Sequence, residues 1–362
     1  MSYTGFLPNS RFPIPDSRFP IPDSRFPIPF SLPNLKPLSS ISMTRYLINR
    51  LLVSIPTLIA ISIVVFGILA LAPGDPMGEF ATNPSITPEV RENIRRALGL
   101  DQPIPIRYIK WAWSFIQGDM GYSFTSRSPV SALMLQRLPT TLWVVGSAYI
   151  FAVLLAFPLG IISALKRYSI FDNIVTTLAF LGFSLPTFFT GLLFIILFSV
   201  QLNWLPFIYD STLKVTDWSS FVIQVKQSIM PIVVLGLFQA AVLMRFIRSS
   251  ILEQLNQDYV RTAYAKGLHQ FVVVNRHILR NALIPVITLV ALDIPTVFTG
   301  ALITEQVFRV PGIGALLIDS IYRNDTPVVM AITFIYAILI VVFNLVADIL
   351  YGILDPRVQY NT

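Results

Sequence analysis

The chain has 362 residues, 54% of them hydrophobic and only 12% charged, with a mean hydropathy of +0.68. A soluble domain is about a quarter charged, so this composition excludes an ordinary soluble protein and points to a bilayer. With no cysteine and only two histidines, His269 and His277, disulfides, iron–sulfur clusters and thiolate or histidine metal centres are not expected, and the +7 net charge is placed for a membrane face, not for nucleic acid.

In chain order, residues 10–30 read SRFPIPD SRFPIPD SRFPIPF, three near-identical copies with a period of seven. Two prolines per copy exclude a heptad coiled coil. There is no continuous apolar core for a signal peptide, and too little apolar surface to fold. Residues 1–42 are expected to be a disordered tail outside the fold, with ordinary sense resuming at Met43. The remaining divisions are a lead and first span at 43–72, an external segment at 73–137, and a core at 138–362.

Crossing a bilayer takes about 20 apolar residues, and unpaired backbone in lipid forces them to be helical. Six segments qualify. They are Leu51–Leu71, most of Leu138–Leu165, a helix near 173–200 kinked by Pro186, Gln227–Met244, Asn281–Thr304 and Thr326–Ala347. The third is followed by an interfacial stretch with Trp204. Pro73-Gly74-Asp75-Pro76 closes the first. In the external segment, Thr87-Pro88-Glu89 starts a helix that stops at Gly99, and a second helix is expected at Tyr108–Ile116 with Trp111 and Trp113. Lys and Arg cluster at Arg45, Arg50, Lys166, Arg167, Arg245, Arg248, Arg261, Lys266, Arg276, Arg280 and Arg357, whereas 73–137, 201–228 and 304–327 mix signs. By the positive-inside rule both termini are cytoplasmic, in agreement with an even number of spans.

Residues 249–281 form a long cytoplasmic insertion. Asp258 suits an N-cap, Tyr259–Lys266 a short helix, and Gly267 a left-handed stop. A second helix, roughly His269–Arg280, leads into the fifth span. The residues leave two readings open: a rigid knob that docks a protein, or a basic loop against anionic lipid.

The string DYVRTAYAKGLHQFVVVNRHILRNALIPV resembles the cytoplasmic signature of ABC importer permeases, most closely the dipeptide/oligopeptide/nickel permease family. The likeness extends to LAPGDP at 71–76, LGLDQPIPIRY at 98–108, GDMGYS at 118–123, RLPTTL at 137–142 and TEQVFRVPGIGALLIDSI at 304–321. The resemblance implies an all-α integral membrane protein of the type I ABC importer permease kind, with a helical external insertion after the first span. It is most similar to the first permease of a pair. The implied partners are a second homologous permease, two ATPase subunits and an external substrate-binding protein, with lipid around the spans. ATP and Mg are implied in the ATPase partners only; this chain has no Gly-Lys dipeptide and so no phosphate-binding loop of that kind.

On this resemblance, the 258–267 helix sits in an ATPase groove and couples ATP-driven closure to the spans. Asp258, Tyr259, Arg261, Thr262, Ala263, Ala265, Lys266 and Gly267 carry the contact. Ala263, Ala265 and Gly267 allow close approach, while Arg261 and Lys266 pair with acids on the rim. The expected cargo is a di- or oligopeptide, with nickel or glutathione as the alternative. For the translocation path the candidates are Asp293, the one acid well inside a span, Pro186, and Glu305 before the PGIG turn at 311–314. Asp293 has an alternative role as a structural hydrogen-bonding group. An ion-driven secondary transporter would show repeat symmetry and several intramembrane acids, and neither is visible. A membrane enzyme would need a metal-ligand cluster or a serine–histidine arrangement within the spans, and none is visible.

Overall fold

The computed structural model describes residues 40–71, 87–97, 101–299 and 301–354. The Pro-rich repeat, the Pro73–Pro76 turn, the Gly99 stop, Gly300 and Arg357 lie outside those residues. Among the described residues the fold is all-helical, with one isolated bridge between Tyr122 and Pro129. The helices are α1 (Ser40–Leu71), α2 (Pro88–Ala97), α3 (Ile104–Ile116), α4 (Val130–Leu165), α5 (Ile170–Ser184), α6 (Thr187–Gln201), α7 (Trp218–Leu255), α8 (Asp258–Ala265), α9 (Gln270–Phe298), α10 (Leu302–Phe308), α11 (Ile313–Tyr322) and α12 (Thr326–Leu354). Five of them (α1, α4, α7, α9 and α12) are long and apolar enough to cross a membrane, and α5 with α6 makes a sixth if the bent pair is one span.

Several boundaries differ from the sequence expectation: α3 begins at Ile104 rather than Tyr108, α4 at Val130 rather than Leu138, and the fifth span ends at Phe298, with Thr304 in the separate α10. The helix α1 begins at Ser40, inside the segment assigned to the tail. The fourth span is much longer than its apolar stretch, because Asp217 caps α7 through Ser220 and the helix runs past Arg245 and Arg248 to Leu255. At Pro186 the third span breaks by 101°, with Leu185 extended and Pro186 fixing the start of α6. Proline removes a backbone donor and excludes the preceding residue from helix, which turns a kink into a corner.

The tightest packing is between α4 and α7. Ala148, Ala152, Ala156, Gly160 and Ala164 fall every fourth residue on one face of α4 and are all buried. Such a small-residue stripe lets backbones approach in lipid, where van der Waals packing has to hold helices together. A β-carbon on Gly160 would lie 2.8 Å from the Ile247 side chain, and one on Gly236 would meet the Phe151 ring at 2.5 Å. The helix α7 is thereby fixed against α4 along its length, and α8 follows directly from its end.

The distal end of the bundle, away from α8, is pinned by a buried carboxylate. Asp325 accepts hydrogen bonds from the Ser123 hydroxyl, Phe124 N at 3.0 Å and Thr125 N at 3.3 Å, so the GDMGYS segment wraps the start of α12. Nearby, α3 packs its aromatic face on the spans. Trp111 meets Phe66 and Phe334, and the Tyr108 hydroxyl lies 2.8 Å from Ser62 Oγ.

Candidate functional site

The loop end holds the segment that the sequence singles out. A buried cluster of α4, α7 and α9 residues extends down to Val260 and Ala263, 1% and 5% exposed, so one face of α8 is part of the bundle core. The Tyr259 hydroxyl donates to Gln254 Oε1 at 2.8 Å, which ties α8 back to α7. The opposite face leaves Asp258, Arg261, Thr262, Tyr264, Ala265 and Lys266 exposed.

The helix stops as the glycine predicts. Gly267 has φ +75°, its N–H donates to Tyr264 O at 2.9 Å, and Leu268 N donates to Ala263 O at 3.4 Å. These are the two bonds of a Schellman stop. His269 then caps the next helix, its ring Nδ1 accepting from Phe271 N. No side chain caps α8 at its start, where Gln257 occupies the cap position and Asp258 lies in the first turn. Asp258 is 3.5 Å from Arg261, an exposed pair worth little on its own.

Three details differ from the sequence reading, the first being that Gln257, and not Asp258, stands at the N-cap of α8. Ala263 points into the bundle, so the contact expected of it with a docked partner cannot be made from there. The chain after His269 is not a second separate helix: α9 runs from Gln270 without a break into the span. An apolar set that the sequence reading passed over is also exposed here: Tyr264 at 43%, Leu268 at 38% and Phe271 at 70%. Their spacing of four and three was the available signal.

The loop is held to the spans by an ion pair that the sequence reading also missed. Asp172, 2% exposed, accepts from Arg248 Nε and Nη2 at 2.7 Å each, from Tyr168 N at 2.8 Å, and from the Ser163 hydroxyl. A bidentate arginine–carboxylate pair is both strong and directional. It joins the turn between α4 and α5 to α7 just ahead of α8.

The three path candidates occupy different settings. Asp293 is half-buried on α9, where its Oδ2 accepts from Gln239 Nε2 of α7 at 2.8 Å. Beside it the Tyr149 hydroxyl donates to Val290 O at 3.1 Å. Pro186 is exposed at the corner between α5 and α6. Glu305, 1% exposed, is enclosed by its own turn. Its Oε2 accepts from Ala315 N at 2.8 Å and its Oε1 from the Thr141 hydroxyl at 3.3 Å, while Ile313 N donates to Thr141 Oγ1 at 2.7 Å. A β-carbon on Gly312 would overlap the carboxyl, so the PGIG turn needs glycine there. Burial pushes the Glu305 carboxyl above its ordinary range. A cavity of about 440 Å³ lies between the helices near this turn, lined among others by Thr187, Thr296, Thr304, Thr333 and Tyr336.

Two family descriptions match nearly all of the chain after residue 42: the N-terminal region of binding-protein-dependent transport system membrane components at 43–145, and the binding-protein-dependent transport system inner membrane component at 156–360. The chain belongs to this family of transport permeases. It is therefore a non-catalytic, multi-pass inner-membrane subunit of an ATP-driven transporter. The permease is 43% identical to the oligopeptide transport system permease protein AppB of Bacillus subtilis, over 88% of this chain and 100% of that protein. It is 38% identical to the dipeptide permease DppB of Escherichia coli K12 and 38% identical to the glutathione permease GsiC of Salmonella paratyphi A, again over 88% of this chain and 100% of each relative.

Proposed function

We propose that this permease forms, with a second homologous permease, the path by which an importer carries di- or oligopeptides across the inner membrane. Two ATPase subunits would drive it, and an external binding protein would deliver the cargo. The observation that carries the proposal is the construction of α8, a short helix with one face sunk in the bundle core and the other exposed. Its stop is rigid and its root is anchored by the Asp172–Arg248 pair. Such an element passes a displacement to α7 and α9 rather than absorbing it. A partner shifts the conformational balance only if it binds the two states differently. The exposed face of α8, with Arg261, Thr262, Tyr264, Ala265, Lys266 and Gly267, is the surface offered to an ATPase groove. Tyr264, Leu268 and Phe271 add apolar contact area to its basic groups.

In this reading both termini and the α8 loop are cytoplasmic, since Arg261, Lys266, Arg276 and Arg280 are all exposed at that end. Peptide cargo is favoured by the two relatives named for oligopeptides and dipeptides; glutathione, itself a tripeptide, is the alternative that the third supports. The test is purification of the permease with its ATPase partners. Wild-type permease is expected to bring the ATPases with it. Tyr264→Asp combined with Lys266→Glu is expected to lose them while the permease remains folded in the membrane. Retention of the ATPases by the double variant would remove α8 from the docking surface.

A further inference from the structure

Two arginines three positions apart on α7 have opposite settings. Arg248 reaches toward the loop end and is neutralised by Asp172 in the first turn of α5. Arg245 reaches the other way. Its guanidinium carbon lies 4.5 Å from the centre of the Phe180 ring and 4.6 Å from that of Phe183. Those rings are ten and thirteen residues beyond Ile170, so at about 1.5 Å per residue the guanidinium stands roughly 15–20 Å along α5, toward the corner at Pro186. The direction follows from helix geometry, because side chains lean toward the N-terminus of their helix, and α7 begins at the distal end.

This is not an arginine reaching for headgroups at the end of a span. It is carried into the span, it is exposed, and among the described residues no carboxylate pairs with it. A cation at that depth is costly unless it faces water or a counter-ion. The helix face is consistent with water: Gln239, Val242, Arg245, Phe246 and Ser249 form an incompletely covered stripe along α7, and its upper end carries the Gln239–Asp293 hydrogen bond. The two rings fix a side chain that is otherwise flexible and leave the donor fork of the guanidinium open, which is the arrangement of a preorganised carboxylate receptor.

We infer that Arg245 is a substrate-binding residue of the translocation path, receiving the carboxylate end of a peptide as it passes toward the cytoplasm. The inference rests on the proposed peptide-import reading and adds a specific contact to it. Phe180 and Phe183 are positioning residues that hold the guanidinium in place.

The chain has no cysteine, so Arg245→Cys introduces a unique thiol into this subunit. The full transporter, reconstituted inside-out, is exposed to water-soluble methanethiosulfonates with and without a tripeptide or its C-terminal amide. The thiol is expected to react, the free-acid tripeptide to slow the reaction at least fivefold, and the amide not to. The aminoethyl reagent, which restores a cation, is expected to recover transport, and the sulfonatoethyl reagent is not. A thiol that never reacts, or that the two peptides protect equally or not at all, overturns the proposal. Protection that follows the phosphatidylglycerol content of the vesicles instead of the peptide also overturns it, in favour of a lipid phosphate. Should the cysteine variant fail to assemble, Arg245→Lys is expected to keep most transport and Arg245→Gln to lose at least tenfold; equal transport by the two refutes the assignment. Failure of the wild-type complex to move any peptide would instead sink the import reading itself.

Discussion

At the scale of single residues, Gly267 and Glu305 make opposite demands. Nothing lies within 4 Å of a β-carbon on Gly267, so a side chain there fits sterically and is resisted by the backbone alone. Left-handed backbone costs an L-residue roughly 1–2 kcal/mol, and a β-branched residue more. Gly267→Asn is therefore expected to stay close to wild type, and Gly267→Val to loosen the helix stop and uncouple ATP hydrolysis from transport. Transport per ATP hydrolysed is the measurement, and an unchanged ratio in the valine variant would remove the stop from the coupling path. Glu305 is limited by its surroundings. Burial raises its carboxyl above the ordinary value of 4.5, so the protonated form is the one that the fold favours. Stability linked to this group is fully present below about pH 4.5 and falls as pH rises through the raised value. Glu305→Gln keeps an amide oxygen to accept from Ala315 N, and presents an NH2 to Thr141 Oγ1 in place of the carboxylate oxygen that accepted from it, without the charge. Its melting temperature is expected to match wild type in acid and to exceed it at neutral pH. A variant less stable at neutral pH would show that the ionised carboxylate is what the turn requires.

At the scale of elements, the ion pair between Asp172 and Arg248 sets how firmly α8 is held. Removing one partner of a buried pair costs roughly 3–5 kcal/mol, because the remaining charge is stranded. Arg248→Met is thus expected to release α5 from α7 and lower both thermal stability and coupling. The double variant Arg248→Met with Asp172→Leu is expected to regain part of that stability, since no charge is left buried while Ser163 and Tyr168 N lose their acceptor. A double variant as unstable as the single one would mean that the pair sets the geometry as well as neutralising charge. This pair also shows what the sequence could not disclose. The spans were legible because a bilayer requires long apolar runs, and the α8 stop was legible because a glycine in a left-handed turn is a local signal. Asp172 and Arg248 are far apart in the chain, each unremarkable beside Lys166, Arg167 and Arg245, and their pairing leaves no local mark. The same holds for Asp325 and the GDMGYS segment. Ala263 was misplaced for a different reason: a small residue on a short helix serves a core and a docking face equally well, and only the packing of Val260 beside it decides.

At the scale of the whole molecule, every assigned role depends on which end of the bundle faces the cytoplasm. Charge supports one answer, since α8 and the start of α9 expose Arg261, Lys266, Arg276 and Arg280, while the distal loop mixes both signs, with Asp210 and Asp217 on either side of Lys214. Basic residues next to spans are retained on the cytoplasmic side during insertion, whereas long loops and domains translocate largely regardless of their charge. The loop from the end of α7 to the start of α9 (256–269) is too short for that, and α8 is anchored in the core by Val260 and Ala263. Two single-cysteine permeases, Thr262→Cys on α8 and Ser211→Cys in the exposed loop before α7, separate the orientations. A membrane-impermeant maleimide applied to intact cells with an opened outer barrier is expected to label position 211 and leave 262 untouched. In inside-out vesicles the pattern is expected to reverse. Position 262 should also be shielded when the ATPases are bound, because it lies on the exposed face of α8. Labelling of 262 from outside would invert the molecule and move the docking surface to the wrong side of the membrane. Correct sidedness without shielding would keep the orientation and leave α8 without its proposed partner.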